Sequence, residues 1–275
     1  MNQPLTLMAV HAHPDDESSS TGGVLARYSD EGVRTIVVTC TNGEFGDGPA
    51  GVKPGEDGHD TADVAQTRLA ELREACKHLG VTELELLGYH DSGMPEWEYR
   101  NRPEAFCNIP VDEVAGRIGA LIERYQPQVV VTYDPDGAYQ HPDHVQASRA
   151  AIAAVERSSI PAKLYLTAMR RSDWQRIGEA LRAAGEEIGD WQLTEEEERQ
   201  SRASEARITT TVDIGAVLER KRAALLAHGS QISESWFSKI PDEVAASVFG
   251  VEHFIRARDT TGASVPETDL FAGLR

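Results

Sequence analysis

The sequence predicts an α/β fold: a mostly parallel sheet with helices on both faces, plus a smaller C-terminal portion. Three observations lead there. Over the first 170 residues short apolar runs alternate with amphipathic stretches, as in βαβ units. The clearest runs, Leu7-Met8-Ala9-Val10 and Val129-Val130-Val131-Thr132-Tyr133, read as buried strands. The 275-residue chain is also long enough to bury a full core.

In chain order, strands are expected at 5–10, 34–41, 83–88, 128–133 and 162–168, and helices at 21–31, 62–79, 111–125 and 143–156. Across 62–79, Val64, Leu69, Leu72, Ala75, Cys76 and Leu79 keep helical spacing, and Gly80 supplies the stop. Residues 43–63 read as a long polar loop. Its Gly46-Asp47-Gly48-Pro49-Ala50-Gly51 formally matches the dinucleotide pattern G-x-G-x-x-G. The loop continues through Val52-Lys53-Pro54-Gly55 instead of opening a helix, and Pro49 removes an amide that a phosphate would need, so no nicotinamide cofactor is expected.

Residues 170–206 differ in character. Glu186 to Glu198 holds seven acidic residues and no basic one, flanked by Arg170, Arg171, Arg199 and Arg202. A solvated helical insertion or flap is the plain reading, a substrate lid the sharper one. The fold resumes with a strand at 208–212 and a helix at 213–228, then an extended polar tail. The expected organisation is an α/β core over 1–170, an acidic insertion over 171–206, and a C-terminal completion and tail over 207–275.

A formal charge of −18 argues against nucleic-acid or anionic-membrane partners, which demand a basic face. Cys40, Cys76 and Cys107 are odd in number and show no C-x-x-C spacing, so a reducing cytoplasm is expected rather than a disulfide framework. There is no basic segment leading into an apolar run at the N-terminus and no apolar stretch of about 18 residues. A soluble chain acting on a small molecule is expected, with room for a homo-oligomer.

Two polar runs carry the chemistry: Ala12-His13-Pro14-Asp15-Asp16-Glu17 and His141-Pro142-Asp143-His144. Each follows a buried-strand candidate. If those strands are neighbours, both runs emerge at the carboxyl edge of the sheet, where open α/β folds bind ligands. His13, Asp16 and His144 would then offer a divalent metal three ligands and an open position, which suits Zn²⁺, while iron(II) also accepts such a set. Asp15, beside a ligand yet free to point elsewhere, is the candidate general base. His141, protonated, would stabilise the oxyanion or hand a proton to a leaving amine. Asp143 would accept a hydrogen bond from a ring N–H and raise that imidazole's pKa, and Tyr139 would add an oxyanion donor. His11, His59, His78, His90, His228 and His253 read as structural.

Together the two runs resemble the LmbE-like, or PIG-L, family of N-acetylglucosamine de-N-acetylases, whose A-H-P-D-D-E and H-P-D-H signatures they match in full. Further segments match in order: Thr39-Cys40-Thr41-x-Gly43-Glu44, Arg68-x-x-Glu71, Asp91-Ser92-Gly93, Thr132-Tyr133-Asp134 and His228-x-Ser230-Gln231. The resemblance implies a Rossmann-like fold and zinc ligation by His13, Asp16 and His144. It implies Asp15 as base, His141 as electrostatic and acid partner tuned by Asp143, and Tyr139 near the oxyanion. It also implies contact of Glu44, Arg68 and Asp91 with a glucosaminyl-inositol substrate.

Within the family, Val10-His11-Ala12-His13 and Asp269-Leu270-Phe271-Ala272-Gly273 look like the mycothiol S-conjugate amidases. That makes a thiol-conjugate substrate, or a mycothiol-bound natural-product intermediate, the first expectation. N-acetylglucosaminyl-inositol deacetylase is the alternative, and a non-catalytic metal- or sugar-binding relative is the alternative of another class. Ser20 stands where such amidases tend to carry lysine and the sister deacetylases serine.

Overall fold

A computed structural model of the chain describes residues 4–135, 140–186, 195–232 and 239–275. β1 (Thr6–His11) is followed by α1 (Asp16–Asp30), β2 (Arg34–Thr41), α2 (Thr61–Leu79) and β3 (Glu83–Tyr89). Then come α3 (Val111–Tyr125), β4 (Val129–Tyr133), α4 (Pro142–Glu156) and β5 (Lys163–Ala168). The rest comprises α5 (Arg171–Ala183), α6 (Glu195–Glu205), β6 (Thr210–Asp213), α7 (Leu218–Ala227), a helical turn at Gly229–Ile232, α8 (Asp242–Phe249) and β7 (Val251–Asp259).

The seven strands form one sheet in the order β3-β2-β1-β4-β5-β7-β6. β1 to β5 are parallel, whereas β7 runs antiparallel to β5 and to β6. The order reverses between β1 and β4, which opens a crevice at their carboxyl ends. Every residue of β1 is buried, because both faces are covered. Met8 and Val10 pack with Val114 and Ile118 of α3 and Ala147 and Ala151 of α4. Leu7 and Ala9 face the other way, toward Val24 and Leu25 of α1 and Leu72 and Leu79 of α2.

Two regions depart from the sequence expectations. α1 begins at Asp16, five residues before the predicted start. Its first turn holds Ser18, Ser19 and Ser20, weak helix formers with no apolar period. What starts it is local polar structure: the N–H groups of Ser18 and Ser19 donate to the Asp15 carbonyl, and Asp16 and Glu17 suit the positive end of the helix dipole. Further along, Gly23 permits close packing, since a Cβ there would lie 2.5 Å from Ile214 Cγ1.

The expected extended tail after 228 instead holds, among the described residues, the helical turn at Gly229–Ile232, α8 and then the strand β7. It was hidden because its Glu252 and His253 are buried polar residues. Glu252 accepts from Lys221 Nζ at 2.7 Å and from the N–H groups of Gly23 and Val24 at 2.8 and 2.9 Å. Leu270 and Phe271 of the supposed tail are also buried, with Phe271 edge-on to Tyr28 at 5.0 Å between ring centroids. Of the acidic stretch 186–198, residues 187–194 lie outside the described residues. Beside it, Glu198 pairs with Arg171 of α5 and with Arg202. Among the described residues no helix is long and apolar enough to cross a membrane.

Candidate metal centre and active site

The crevice between β1 and β4 gathers both polar runs. His13 to Asp16 turn off the end of β1 into α1, and His141 to His144 open α4 just after β4. Asp16 lies between two imidazoles, its Oδ2 3.4 Å from His13 Nδ1 and its Oδ1 3.4 Å from His144 Nε2. With metal–ligand distances of about 2.0–2.1 Å, neighbouring ligands on a tetrahedral ion sit about 3.3 Å apart, close to each of these two contacts. His13, His141 and His144, and likewise His13, Asp91 and Asp143, bring ligand atoms within 4.8 Å of one another. The local charge suits a divalent cation. Three buried carboxylates, Asp16, Asp91 and Asp143, lie within 3.6 Å of His13. Burial opposes a charge on His13, but Asp91, Asp143 and Asp16 outweigh it and hold the imidazole well above its ordinary pKa. Asp16 is held well below the carboxylate range against its own burial, by His144 and His13.

The neighbours fix each donor. His13 Nε2 is 3.1 Å from Asp143 Oδ2, leaving Nδ1 toward Asp16. Such a carboxylate behind a ligand histidine sets its tautomer and ring orientation. Asp143 is in turn held by the Ser92 N–H at 2.9 Å and by the Ser92 hydroxyl. His144 stacks on the Tyr133 ring (4.3 Å, 9°), and the Tyr133 hydroxyl accepts the Ala12 N–H.

The expected link from Asp143 to His141 is corrected here. The Asp143 carboxylate faces His13 and Ser92, and only its backbone N–H meets His141, donating to Nδ1 at 3.2 Å. His141 therefore caps α4, with Nδ1 as acceptor and the ring proton on Nε2. Burial, reinforced by His13 and His144, pushes the His141 pKa down to about 2, against the protonated form expected from the sequence. One of the His141 nitrogens comes within 4.8 Å of a nitrogen of His13 and of one of His144.

Asp15 has a backbone that non-glycine residues seldom adopt, φ 111° and ψ −30°. Its side chain remains 27% exposed, and its Oδ2 receives Arg68 Nη2 at 2.9 Å. Enclosure raises the Asp15 pKa, with Arg68 pulling against it. Arg68 itself is buried. Besides Asp15 it donates to the carbonyls of Gly43 (2.7 Å) and Pro14 (2.6 Å). α2 thus brings the Arg68 guanidinium beneath these two loops and beside Asp15, where it joins them.

Glu44 and Asp91 lie at the ends of β2 and β3 on the rim of the same crevice, both buried. Glu44 Oε1 meets His90 Nδ1 at 2.7 Å, while its buried Oε2 has no partner among the described residues. Asp91 accepts the N–H groups of Gly93 and Phe45, which joins the β2 and β3 loops. Tyr139 lies outside the described residues. The sequence assigns no role in the site to Ser92, Tyr133, Glu17 or His228, the last read only as structural. All four sit inside quoted segments, but nothing in their spacing tells which side chain they support.

Residues 8–155 match the model of the family described as PIG-L, GlcNAc-PI de-N-acetylase. A 1D-myo-inositol 2-acetamido-2-deoxy-alpha-D-glucopyranoside deacetylase from Acidothermus cellulolyticus is 39% identical over 277 residues, covering 98% of this chain and 95% of the relative. Among solved structures, the N,N'-diacetylchitobiose deacetylase of Pyrococcus horikoshii superposes with a TM-score of 0.60 at 21% identity, over 91% of this chain and 83% of that one. The 4-carboxy-2-hydroxymuconate hydratase of Pseudomonas putida KT2440 superposes as well, with a TM-score of 0.61 at 17% identity over 94% and 99% of the chains. The fold is therefore shared by proteins whose reactions differ, and the chemistry has to be read from the site.

Proposed function

We propose a substrate and a mechanism from one premise: the chain belongs to the PIG-L family of GlcNAc-PI de-N-acetylases. It is a hydrolytic, amide-cleaving enzyme. The substrate proposed is an N-acetylated glucosaminyl-inositol, and the metal proposed is Zn²⁺. The observation that carries the mechanism is Asp16 placed 3.4 Å from both His13 and His144, with Asp15 beside it paired to Arg68.

His13, Asp16 and His144 would hold the ion, which when bound supplies Lewis acidity and makes water a nucleophile near neutral pH. Asp15 takes the proton of the attacking water, as its raised pKa and its partial exposure allow. His141 remains neutral and donates its Nε2–H to the oxygen on which negative charge develops. Asp15 then returns the proton to the departing amine, a step that a neutral His141 does not perform. Glu44 Oε2 and Asp91 accept hydroxyl groups of the sugar.

The deacetylase reading now precedes the S-conjugate amidase. The full-length relative above is named a deacetylase, and Ser20 agrees with that branch. The C-terminal likeness to the amidases loses weight, since Leu270 and Phe271 are core residues packed with Tyr28. One observation keeps the amidase as a second reading. A cavity of about 550 Å³, lined by Pro95, Arg100, Cys107, Gln140, Pro142 and Arg149, lies at the start of α4, where a group larger than acetyl would have room.

Asp15→Asn should lower kcat by about 10²–10⁴-fold while zinc content stays unchanged. Primary-amine release from N-acetylglucosaminyl-inositol should exceed release from a mycothiol S-conjugate offered at equal concentration. Faster release from the conjugate would reverse the order of the two readings.

A further inference from the structure

Behind Asp15 lies a buried ion pair that the reaction does not use. Glu17 and His228, 211 residues apart, are both fully buried, with His228 Nε2 2.8 Å from Glu17 Oε1. Burial works against both charges, yet each group holds the other ionised: Glu17 lies below its ordinary range and His228 above. Glu17 Oε2 accepts the N–H of Asp15 at 3.0 Å, at the residue whose φ is 111°. The Ser18 hydroxyl also donates to Glu17.

The turn after His228 reaches two more parts of the site. Ser230 donates its N–H and its hydroxyl to Glu71, both at 2.7 Å, and Glu71 follows Arg68 by one turn of α2. Gln231 clasps the backbone of Asp47, accepting its N–H at 3.1 Å and donating to its carbonyl at 3.0 Å, three residues beyond Glu44. A fully buried ion pair is a weak source of stability, and well-packed apolar residues often replace one without loss. Here its free carboxylate oxygen is directed at the strained peptide of the base.

We infer that Glu17, fixed by His228, is a positioning residue: by accepting the Asp15 N–H it sets the direction in which the Asp15 carboxylate leaves the chain. Ser230 and Gln231 keep the Arg68 helix and the Glu44 loop in register with it. The inference rests on Asp15 being the base.

The test compares Glu17→Gln, His228→Gln and the double variant with Asp15→Asn, all zinc-loaded. Each single variant should lower kcat by about 10–100-fold with stoichiometric zinc and KM little changed. The double variant should lose no more than the worse single, because the two residues act as a unit. Gln231→Ala should instead raise KM more than it lowers kcat. Ser18→Ala, which removes one support of Glu17 without touching a charge, should lower kcat in the same direction and keeps the test available if Glu17→Gln folds poorly. The inference is overturned if Glu17→Gln keeps kcat within about twofold while Asp15→Asn is dead. It is equally overturned if every kcat loss follows a proportionate loss of zinc or of Tm. Turnover by Asp15→Asn would remove the base assignment beneath it.

Discussion

The parallel part of the sheet and its antiparallel edge contribute differently to one site. β1 to β5 and their loops present the described groups assigned to metal, water and sugar: His13, Asp15, Asp16, Glu44, Asp91, His141 and His144. Residues beyond 207 present none of these. They contribute buried charges instead: His228 on Glu17, Lys221 on Glu252, and Glu267 on Lys163 at 2.5 Å. Glu267 also receives the Tyr165 hydroxyl at 2.8 Å. The difference teaches that donors come from short runs at strand ends, while their aim depends on side chains arriving from far along the chain.

This division can be broken or sharpened. The largest effect expected is from metal removal: dialysis against a chelator should abolish turnover, and zinc should restore it. The far-UV circular dichroism should hardly change, since the sheet is closed by its own core. If the sheet melts with the metal, the donor half is not independent of its ligand.

Next comes Glu252→Ala, which leaves Lys221 buried without its counter-charge and Gly23 and Val24 without their acceptor. It should cost about 3–5 kcal/mol in chemical denaturation, while the folded fraction keeps its kcat. A kcat loss at full folding would show that the antiparallel edge acts on the chemistry at this point too. Smaller is Arg68→Lys, which keeps a charge but loses the fork that joins Pro14, Gly43 and Asp15. A loss of about 10–100-fold in kcat, or 1.4–2.7 kcal/mol, is expected with KM nearly constant. A rise in KM alone would place Arg68 among the substrate contacts.

The same two regions differ in how much the sequence disclosed. β2 and α3 run over 34–41 and 111–125 as their apolar patterns predict, because the amphipathic period is local. The residues proposed to hold the metal stand out in the sequence because unusual residue types crowd into two short runs. β7 does not, since a strand holding a buried Glu252 has lost its alternation to an ion pair. The partner of the Asp143 carboxylate was equally hidden. Spacing put it near His141, two residues away, but α4 turns the side chain toward His13, 130 residues distant. Glu17 and Arg68 could be listed as polar residues near the motif. Only the fold shows that one supports a peptide and the other a loop.

The backbone at Asp15 has one more consequence, for what selection can reach. A φ of 111° is natural to glycine and costs another residue about 1–3 kcal/mol. A chain evolving for thermal endurance alone would drift to glycine here and gain by it. Aspartate marks the reverse trade, in which part of the stability margin is surrendered to keep a carboxylate facing water. Thermostable descendants of this enzyme should therefore have gained their extra stability elsewhere, in the core beneath α1 and α7, and left position 15 as it is.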